Sequence, residues 1–365
     1  PDSAGTLLDE NSSVPSANLT GTVVDARISA LTASKLTGDL PAISGVNVTN
    51  VHAVNSGRKN LIINGGFDVW QRGTVATSYG NYASADRWKQ ITAGEVSKVV
   101  DGDRNTVLKL VTSTGQAPNR ITQYLEAPAR LKGKTLTLSF WMKTSEVLTL
   151  DINFWVGDAA GNYPVYGKTG GSAGNSTALG GSTSTSWTKY TTSVVIPSYT
   201  EYTNGTDKME INIGVVNGTA AGKSIYYDDI QLEVGSVATD FEHRSYGEEL
   251  ALCQRYCHVF QNGSTEAHLG VGAQYNTTAV NIALHLPNSL RVSPTVERIL
   301  DGSSNWLQIY VGGASQSSNS VPQVADFNGN TIRLYCPSSI TNRTAGEASW
   351  CHVKPNAKLI LSAEL

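Results

Sequence analysis

Apolar and polar residues alternate along three stretches in the middle of the chain, between residues 136 and 215. This period of two residues predicts β-strands that bury one face. The apolar positions are Leu136, Leu138, Phe140 and Met142, then Leu148, Leu150, Ile152, Phe154 and Val156, then Met209, Ile211, Ile213 and Val215. Turn-rich segments separate the runs, so we expect an antiparallel β-sandwich of jelly-roll type over residues 58–244.

The segment "SYGEELALCQRYCHVF", residues 245–260, is the one clear helix signal. Ser245 and Glu248 have the spacing of a capping box, and Leu250, Cys253 and Cys257 follow a helical period. Alternating runs then return at residues 280–286, 306–311 and 331–335 and in the closing "AKLILSAEL". We therefore predict a second, smaller β domain over residues 245–365, opened by one short helix.

Residues 1–57 contain no Phe, Trp, Tyr or Cys. They carry a weak repeat, "NLTGTVVDARIS" at residues 18–29 and "KLTGDLPAIS" at residues 35–44. Repeats that bury little surface alone gain stability by stacking, either on further repeats or on identical chains around an axis. This pattern favours a fibrous trimeric shaft that precedes the all-β domains, and a disordered polar leader is the alternative.

Charge and composition narrow the function classes. The chain of 365 residues has 27 basic and 30 acidic residues, a formal net charge of -3, and no basic run. A nucleic-acid partner therefore has no electrostatic support. No apolar run approaches the length of roughly 20 residues that a helix needs to cross a bilayer, so membrane insertion is not expected.

All four cysteines lie in the last third of the chain: Cys253, Cys257, Cys336 and Cys351. Together with His258 and His352 they could bind zinc, but two cysteines four residues apart on a helix are a weak zinc signal. Buried thiols are the favoured interpretation, and a Cys336–Cys351 disulfide is left open.

Three segments resemble bacteriophage tail-fibre and receptor-binding proteins. They are "NLIINGGFDVWQRG" from Asn60, "SADRWKQ" from Ser84 and "YYDDIQLEVGSVATDFEHRSYGEELALCQRYC" from Tyr226. The block between them looks like the jelly roll of a carbohydrate-binding module, and "ALHLPNSLRVSPTV" with "LSAEL" resembles the end domain of such fibres. The resemblance implies a virion protein, assembled in the host cytoplasm and joined to other tail proteins through its amino-terminal segment.

The same resemblance implies a structural calcium site. In carbohydrate-binding jelly rolls, an acidic residue after the first strand and an aspartate in the last strand commonly hold calcium, and Asp68 with Asp228 or Asp229 match those positions. The alternative is that these carboxylates accept hydrogen bonds from amides at the strand ends.

Sugar recognition needs exposed aromatic rings beside polar groups. In the jelly roll the candidates are the loop residues Tyr163, Tyr166, Tyr199 and Tyr202, and in the end domain they are Trp306 and Tyr310. Trp88, Trp141 and Trp155 stand in or beside strand patterns, so we expect them in the core.

Catalysis has weak support in the sequence. Glycosidases need two carboxylates across a cleft, whereas adjacent acidic pairs such as Asp228 and Asp229 point to opposite faces of a strand. The resemblance, together with the lack of such a carboxylate pair, implies a non-enzymatic tail fibre that binds bacterial surface polysaccharide as a homotrimer. The alternatives are a purely structural virion component, such as a capsid decoration or tail appendage, and, with less support, a polysaccharide depolymerase.

Overall fold

The computed structural model describes residues 59–77, 79–91, 94–102, 104–113, 119–126, 128–156, 165–166, 181–196, 208–216, 219–261, 263–302, 304–337 and 344–365. The shaft predicted for residues 1–57, and with it the trimer, lies outside these ranges. The described residues belong to a compact unit that runs from Asn55 to Leu365. In this part of the chain, no helix has the length and apolar content needed to cross a membrane.

The described residues are almost entirely β-structure, which confirms the all-β prediction. The first eleven strands are β1 Val75–Ala76, β2 Lys89–Ile91, β3 Val96–Asp101, β4 Arg104–Val111, β5 Asn119–Glu126, β6 Thr135–Thr144, β7 Leu150–Val156, β8 Val165–Tyr166, β9 Thr188–Val195, β10 Lys208–Val215 and β11 Ser224–Val234. They form a six-stranded sheet, β1-β3-β4-β11-β6-β9, and a five-stranded sheet, β2-β5-β10-β7-β8, and all pairings are antiparallel.

The alternating runs of the sequence supply the core of this sandwich. Strand β6 belongs to one sheet and β7 and β10 to the other, and the apolar faces of all three enter one hydrophobic cluster. Phe140, Ile152 and Ile213 are almost completely buried there. Apart from the hairpins β3-β4 and β7-β8, successive strands alternate between the two sheets, which confirms the predicted sandwich.

The segment "NGGFDVW" closes one edge of this core. Asn64 and Phe67 both have positive φ angles, and the Asn64 side chain ties the turn together, since its amide donates to the Val69 carbonyl at 2.8 Å and its oxygen accepts from the Val69 amide at 3.0 Å. Phe67 then packs against Trp88, with ring centroids 5.5 Å apart. The first aromatic residue of the chain therefore enters the first hydrophobic core of the described residues.

The helix is shorter than predicted. It spans Tyr246–Gln254 (α1), and both hydrogen bonds of the Ser245 capping box are present. The predicted periodicity included Cys257, which instead begins strand β12, Cys257–Phe260. Cys257 is buried in either conformation, so its burial alone could not distinguish a further helical turn from a strand.

Nine further strands follow β12: β13 Ala267–Asn276, β14 Ala279–His285, β15 Thr295–Ile299, β16 Leu307–Val311, β17 Ala314–Ser318, β18 Gln323–Asn328, β19 Thr331–Pro337, β20 Ala348–Val353 and β21 Lys358–Ser362. They and β12 form a three-stranded sheet, β12-β21-β15, and a seven-stranded sheet, β17-β16-β20-β13-β14-β19-β18. A second hydrophobic cluster contains side chains of both sheets. The boundaries 58–244 and 245–365 stay predictions.

Candidate functional site

The outer face of the seven-stranded sheet carries a row of exposed aromatic side chains. In β20, Cys351 and Val353 are buried, so the alternation of the strand turns Trp350 and His352 outward. In the strand register, Trp350 lies opposite Tyr310 of β16, and His352 lies opposite His268 of β13. We call Glu266, His268, Tyr310, Trp350 and His352 the aromatic face.

Contacts between these side chains fix the arrangement. The Tyr310 hydroxyl donates to Glu266 Oε2 at 2.8 Å, and His352 Nδ1 lies 3.0 Å from the same oxygen. The His352 ring centroid is 5.2 Å from that of Tyr310 and 5.3 Å from that of His268. His268 in turn lies 6.0 Å from Trp350. The rings thus form a continuous surface across three neighbouring strands.

Glu266 is held in its charged form. Partial burial acts to raise its pKa, but hydrogen bonds from His352 and Tyr310 outweigh burial, and the pKa lies below the usual value. The same hydrogen bond raises the pKa of Tyr310. Glu266 is therefore a carboxylate acceptor at neutral pH, and Tyr310 keeps its proton.

The aromatic face has the chemistry that a sugar ring needs. Trp350 is 63 % exposed and Tyr310 is 38 % exposed, so their rings can stack on the C–H face of a pyranose. Glu266 and His352 lie beside them and can bond to hydroxyl groups. An exposed sheet face of this kind suits an extended polysaccharide better than a small buried ligand.

One predicted residue in this domain is wrong. Trp306 is completely buried in the second core, and its indole N–H donates to the Ser320 carbonyl at 2.8 Å. Without an exposed ring face, it cannot stack on a sugar. Trp306 immediately precedes β16, so the alternation that turns Tyr310 outward within that strand does not extend to Trp306.

Sequence reasoning also missed Trp350. The signal was present in "SWCHV", residues 349–353, where two apolar residues alternate with Trp350 and His352. An exposed tryptophan is unusual enough to mark a binding surface. Its partners His268 and Glu266 could not have been found this way, because strand register alone brings them beside it.

The jelly-roll candidates cannot be placed in the same detail. Tyr163, Tyr199 and Tyr202 lie outside the described residues. Tyr166 belongs to the edge strand β8, opposite Phe154, and its side chain is not described. These four tyrosines stay predictions.

The five-stranded sheet turns polar side chains away from the core. Thr122, Asn153 and Asn212 lie side by side on β5, β7 and β10, and all three are buried. Thr122 donates to the Asn212 side-chain oxygen, and the Asn153 amide donates to Asp151 at 3.0 Å. In the described part of the chain, Asn153 Oδ1 and Asn212 Nδ2 have no hydrogen-bond partner. Because all three side chains are buried, this polar row is not accessible to a ligand, and the exposed aromatic face is the stronger candidate site.

The three acidic residues of the predicted calcium site are neighbours, but a guanidinium already binds two of them. Arg104 donates to Asp228 and lies 3.3 Å from Asp229 Oδ2. Burial raises the pKa of Asp68, against the opposing charges of Lys98 and His243, and the charge of Asp229 adds to the rise. Asp229 has a positive φ at a bulge in β11. Burial and the Asp229 charge also raise the pKa of Asp228 to about 6, against the opposing effect of Arg104.

These residues do not fit a calcium site as they stand. Calcium takes six to eight oxygen ligands. Among the described residues, no group of three or more His, Cys, Asp or Glu side chains is placed to hold a metal ion. Calcium binding stays a prediction, and it would require Arg104 to move.

Arg104 belongs to a second aromatic cluster, on the outer face of the six-stranded sheet. Its guanidinium lies 4.7 Å from the Trp141 ring and 4.6 Å from the Trp187 ring. The core position expected for Trp141 is therefore wrong, because odd-numbered residues of β6 point outward. Trp88 is buried as expected, and the Trp155 side chain is not described.

The same cluster contains an ion pair. Asp101 pairs with Lys143 at 2.5 Å and accepts a hydrogen bond from the Trp187 indole at 2.7 Å. Each charged group of the cluster therefore has an ion-pair partner within the cluster.

The four cysteines are buried free thiols, as favoured from the sequence. The disulfide between Cys336 and Cys351 is not formed, although each thiol lies in the second core. Burial raises the pKa of both, which leaves them protonated and unreactive.

Comparisons with known proteins add little to this description. No family model and no curated protein matches the chain. Among solved structures, a CBM4 module is 15 % identical, with 47 % of this chain and 98 % of the module covered, at a TM-score of 0.31. The CBM22-1 xylan-binding domain from Paenibacillus barcinonensis is 12 % identical over 50 % of this chain and 100 % of the domain, at 0.31. The enzymatically active domain of bacteriophage CBA120 tailspike protein 4 is 17 % identical over 48 % of this chain and 21 % of the tailspike, at 0.29. With TM-scores this low, the jelly-roll assignment depends on the sheet order given above.

Proposed function

We propose that this chain is a virion tail-fibre protein that binds a polysaccharide of the host surface without cleaving it. The observation that supports this proposal most directly is the aromatic face, where Trp350 and Tyr310 present exposed rings beside an ionised Glu266. Its partners would be identical chains in a homotrimer, other tail proteins at the amino-terminal segment, and the glycan itself.

The chemistry of the aromatic face favours binding over hydrolysis. A glycosidase needs a general acid whose pKa is raised, together with a second carboxylate across the cleft. The pKa of Glu266 is lowered instead, because Tyr310 and His352 bond to its charged form. Glu266 therefore suits the role of a hydrogen-bond acceptor for sugar hydroxyls.

A trimer would compensate for weak single sites. A shallow face that stacks on one or two sugar rings binds weakly, because few groups are desolvated. Three equivalent faces on one fibre can raise the apparent affinity by about 10² or more when the polysaccharide is repetitive.

A glycan array probed with the full chain and with Trp350→Ala tests the proposal. We expect the full chain to retain one class of bacterial surface polysaccharide. Trp350→Ala should lose about tenfold or more of the signal, since covering one large apolar side chain contributes on the order of 1.5–3 kcal/mol. Tyr246→Ala is the matched control, because Tyr246 is a similarly exposed aromatic residue, at 59 %, outside the aromatic face.

Further arms of the same experiment separate the alternatives. A second variant replaces four tyrosines of the jelly roll by alanine: Tyr163, Tyr166, Tyr199 and Tyr202. If this variant loses binding while Trp350→Ala retains it, the glycan site lies in the jelly roll. A chain that binds no polysaccharide would be a structural virion component. Release of new reducing ends from a bound polysaccharide would identify a depolymerase and contradict the non-catalytic part of the proposal.

A further inference from the structure

A second group of aromatic side chains lies on the same outer side of the seven-stranded sheet as the aromatic face. In β19, Ile332, Leu334 and Cys336 are buried, so the alternation of the strand turns Tyr335 outward. Tyr275 of β13 is 58 % exposed, and its ring centroid lies 5.6 Å from that of Tyr335. We call Tyr275 and Tyr335 the tyrosine pair.

A β-bulge places the tyrosine pair. The register of β13 with β14 shifts between Gln274 and Asn276, and Tyr275 is the extra residue. A bulge releases its residue from the strict alternation of the strand and can re-aim the side chain. The ring of Tyr275 reaches across β14 to Tyr335 on β19 and meets it edge to face. The two rings therefore present one aromatic surface, separate from the aromatic face.

Short side chains separate the tyrosine pair from Trp350 of the aromatic face. The outward positions of β20, β13 and β14 that lead to Tyr335 are Ala348, Ala273 and Asn281, each opposite the next in the strand register. Val271, which lies opposite Trp350, is 59 % exposed. Because these side chains are shorter than aromatic rings, the sheet forms a shallow floor with rings at both ends.

The separation of the two ring groups sets the length of a ligand that can touch both. Tyr335 lies three strands away from Trp350 and two residues further along the strands. With about 4.8 Å between strands and about 3.4 Å per residue, their Cα atoms are roughly 16 Å apart, which is about the length of four linked pyranose rings. A disaccharide stacked on Trp350 is too short to reach the tyrosine pair.

Polar groups accompany the rings along this path. The Asn281 side-chain oxygen accepts from Arg333 at 3.3 Å, and the Asn281 amide nitrogen can donate to a hydroxyl group of a sugar above the floor. Glu266 is an ionised acceptor at the other end. Protein interfaces are depleted of charged residues at their centre, so rings beside an ionised carboxylate suit a glycan better than a second copy of this chain.

We propose that this side of the sheet binds a glycan segment of about four or more consecutive sugar residues, stacked on Trp350 at one end and on the tyrosine pair at the other. This second subsite rests on the proposed glycan-binding function and adds to it the length of the segment that is bound.

Fragments of defined length test the proposal. The probe is the polysaccharide that the glycan array retains, cut by partial acid hydrolysis and separated by size. Isothermal titration calorimetry measures the affinity of the full chain for each fragment. We expect fragments of about four or more residues to bind about tenfold or more tightly than the disaccharide, because only the longer fragments cover both ring groups.

Variants at Tyr275 assign this difference to the tyrosine pair. In Tyr275→Ala the long fragments should lose about tenfold in affinity, while the disaccharide changes little, since Trp350 still binds it. Tyr275→Phe should keep the affinity for long fragments, because stacking uses the ring and not the hydroxyl. Tyr246→Ala is the matched control, at 59 % exposure outside both ring groups. Melting temperatures show whether each variant is folded.

Two results would overturn the proposal: long fragments that bind no more tightly than the disaccharide, or long fragments that bind Tyr275→Ala as tightly as the unchanged chain. A Tyr275→Ala chain that loses oligomeric mass in light scattering and keeps its glycan affinity would show a contact between copies, and would contradict it too. All three results leave the proposed function intact when binding depends on Trp350. A chain that retains no polysaccharide on the array refutes the proposed function and the second subsite together.

Discussion

Gly65 shows how closely single residues constrain the first sandwich. A Cβ added to Gly65 would lie 2.0 Å from the carbonyl oxygen of Ile230, which is backbone and cannot rotate away. That carbonyl also accepts from the Asn60 side chain at 3.1 Å, and the Ile230 amide donates to the Gly65 carbonyl at 2.9 Å. The first segment and the last strand of the sandwich thus approach at a distance that glycine permits.

Gly65→Ala should therefore destabilise the chain. We expect the free energy of unfolding to fall by about 1–3 kcal/mol or more, because the backbone must separate to admit one methyl group. Gly302→Ala is the control, since an added Cβ at Gly302 meets nothing within 4 Å. Urea denaturation of both variants measures the difference. Equal midpoints for the two variants would contradict the close approach.

At the scale of elements, the strands that alternate strictly could be predicted, and the helix only in part. Strands β6 and β10 follow the pattern because the apolar residues at alternate positions of each strand enter one core. The start of α1 was predictable from Ser245 and Glu248, whereas its end was not, because β12 begins only three residues after Gln254. Strand ends and helix ends depend on tertiary pairing, here the pairing of β12 with β21.

The site was predictable to a smaller extent than the fold. Tyr310 was among the aromatic candidates of the end domain, and it is the one of the two whose ring is exposed. Its partners come from two other parts of the sequence, Glu266 and His268 from one and Trp350 from the other, and only the register of β13, β16 and β20 joins them. Likewise Arg104, which binds Asp228 and Asp229, has no sequence signal that links it to them.

Helix α1 allows a direct test of one predicted element. Ser245→Ala removes the side-chain acceptor for the Glu248 amide and should cost about 1 kcal/mol of stability. The reciprocal variant Glu248→Ala should cost less when Ser245 is already absent, since the two hydrogen bonds form one capping box. Thermal unfolding of the two single variants and the double variant measures this coupling. Strict additivity would show that the capping box does not act as a unit.

The assembly prediction belongs to the whole molecule. Residues 1–57 contain no aromatic residue that could fill a core of their own, and their repeat favours association between chains. We expect multi-angle light scattering of the full chain to give a mass of three copies, and a chain that begins at residue 58 to lose that association. A monomeric full chain would refute the shaft and remove the avidity that the proposed function uses.

The most direct test of the central claim asks whether a bound glycan touches Trp350. The full chain can be labelled with 5-fluorotryptophan and titrated, by fluorine NMR, with the polysaccharide that the array identifies; Trp350→Phe assigns the resonance. Trp306 and Trp88 are internal controls, because both are buried in the two cores. We predict that the Trp350 resonance shifts and saturates with added polysaccharide while those of Trp306 and Trp88 do not move. A polysaccharide that binds and leaves the Trp350 resonance unchanged would contradict the account.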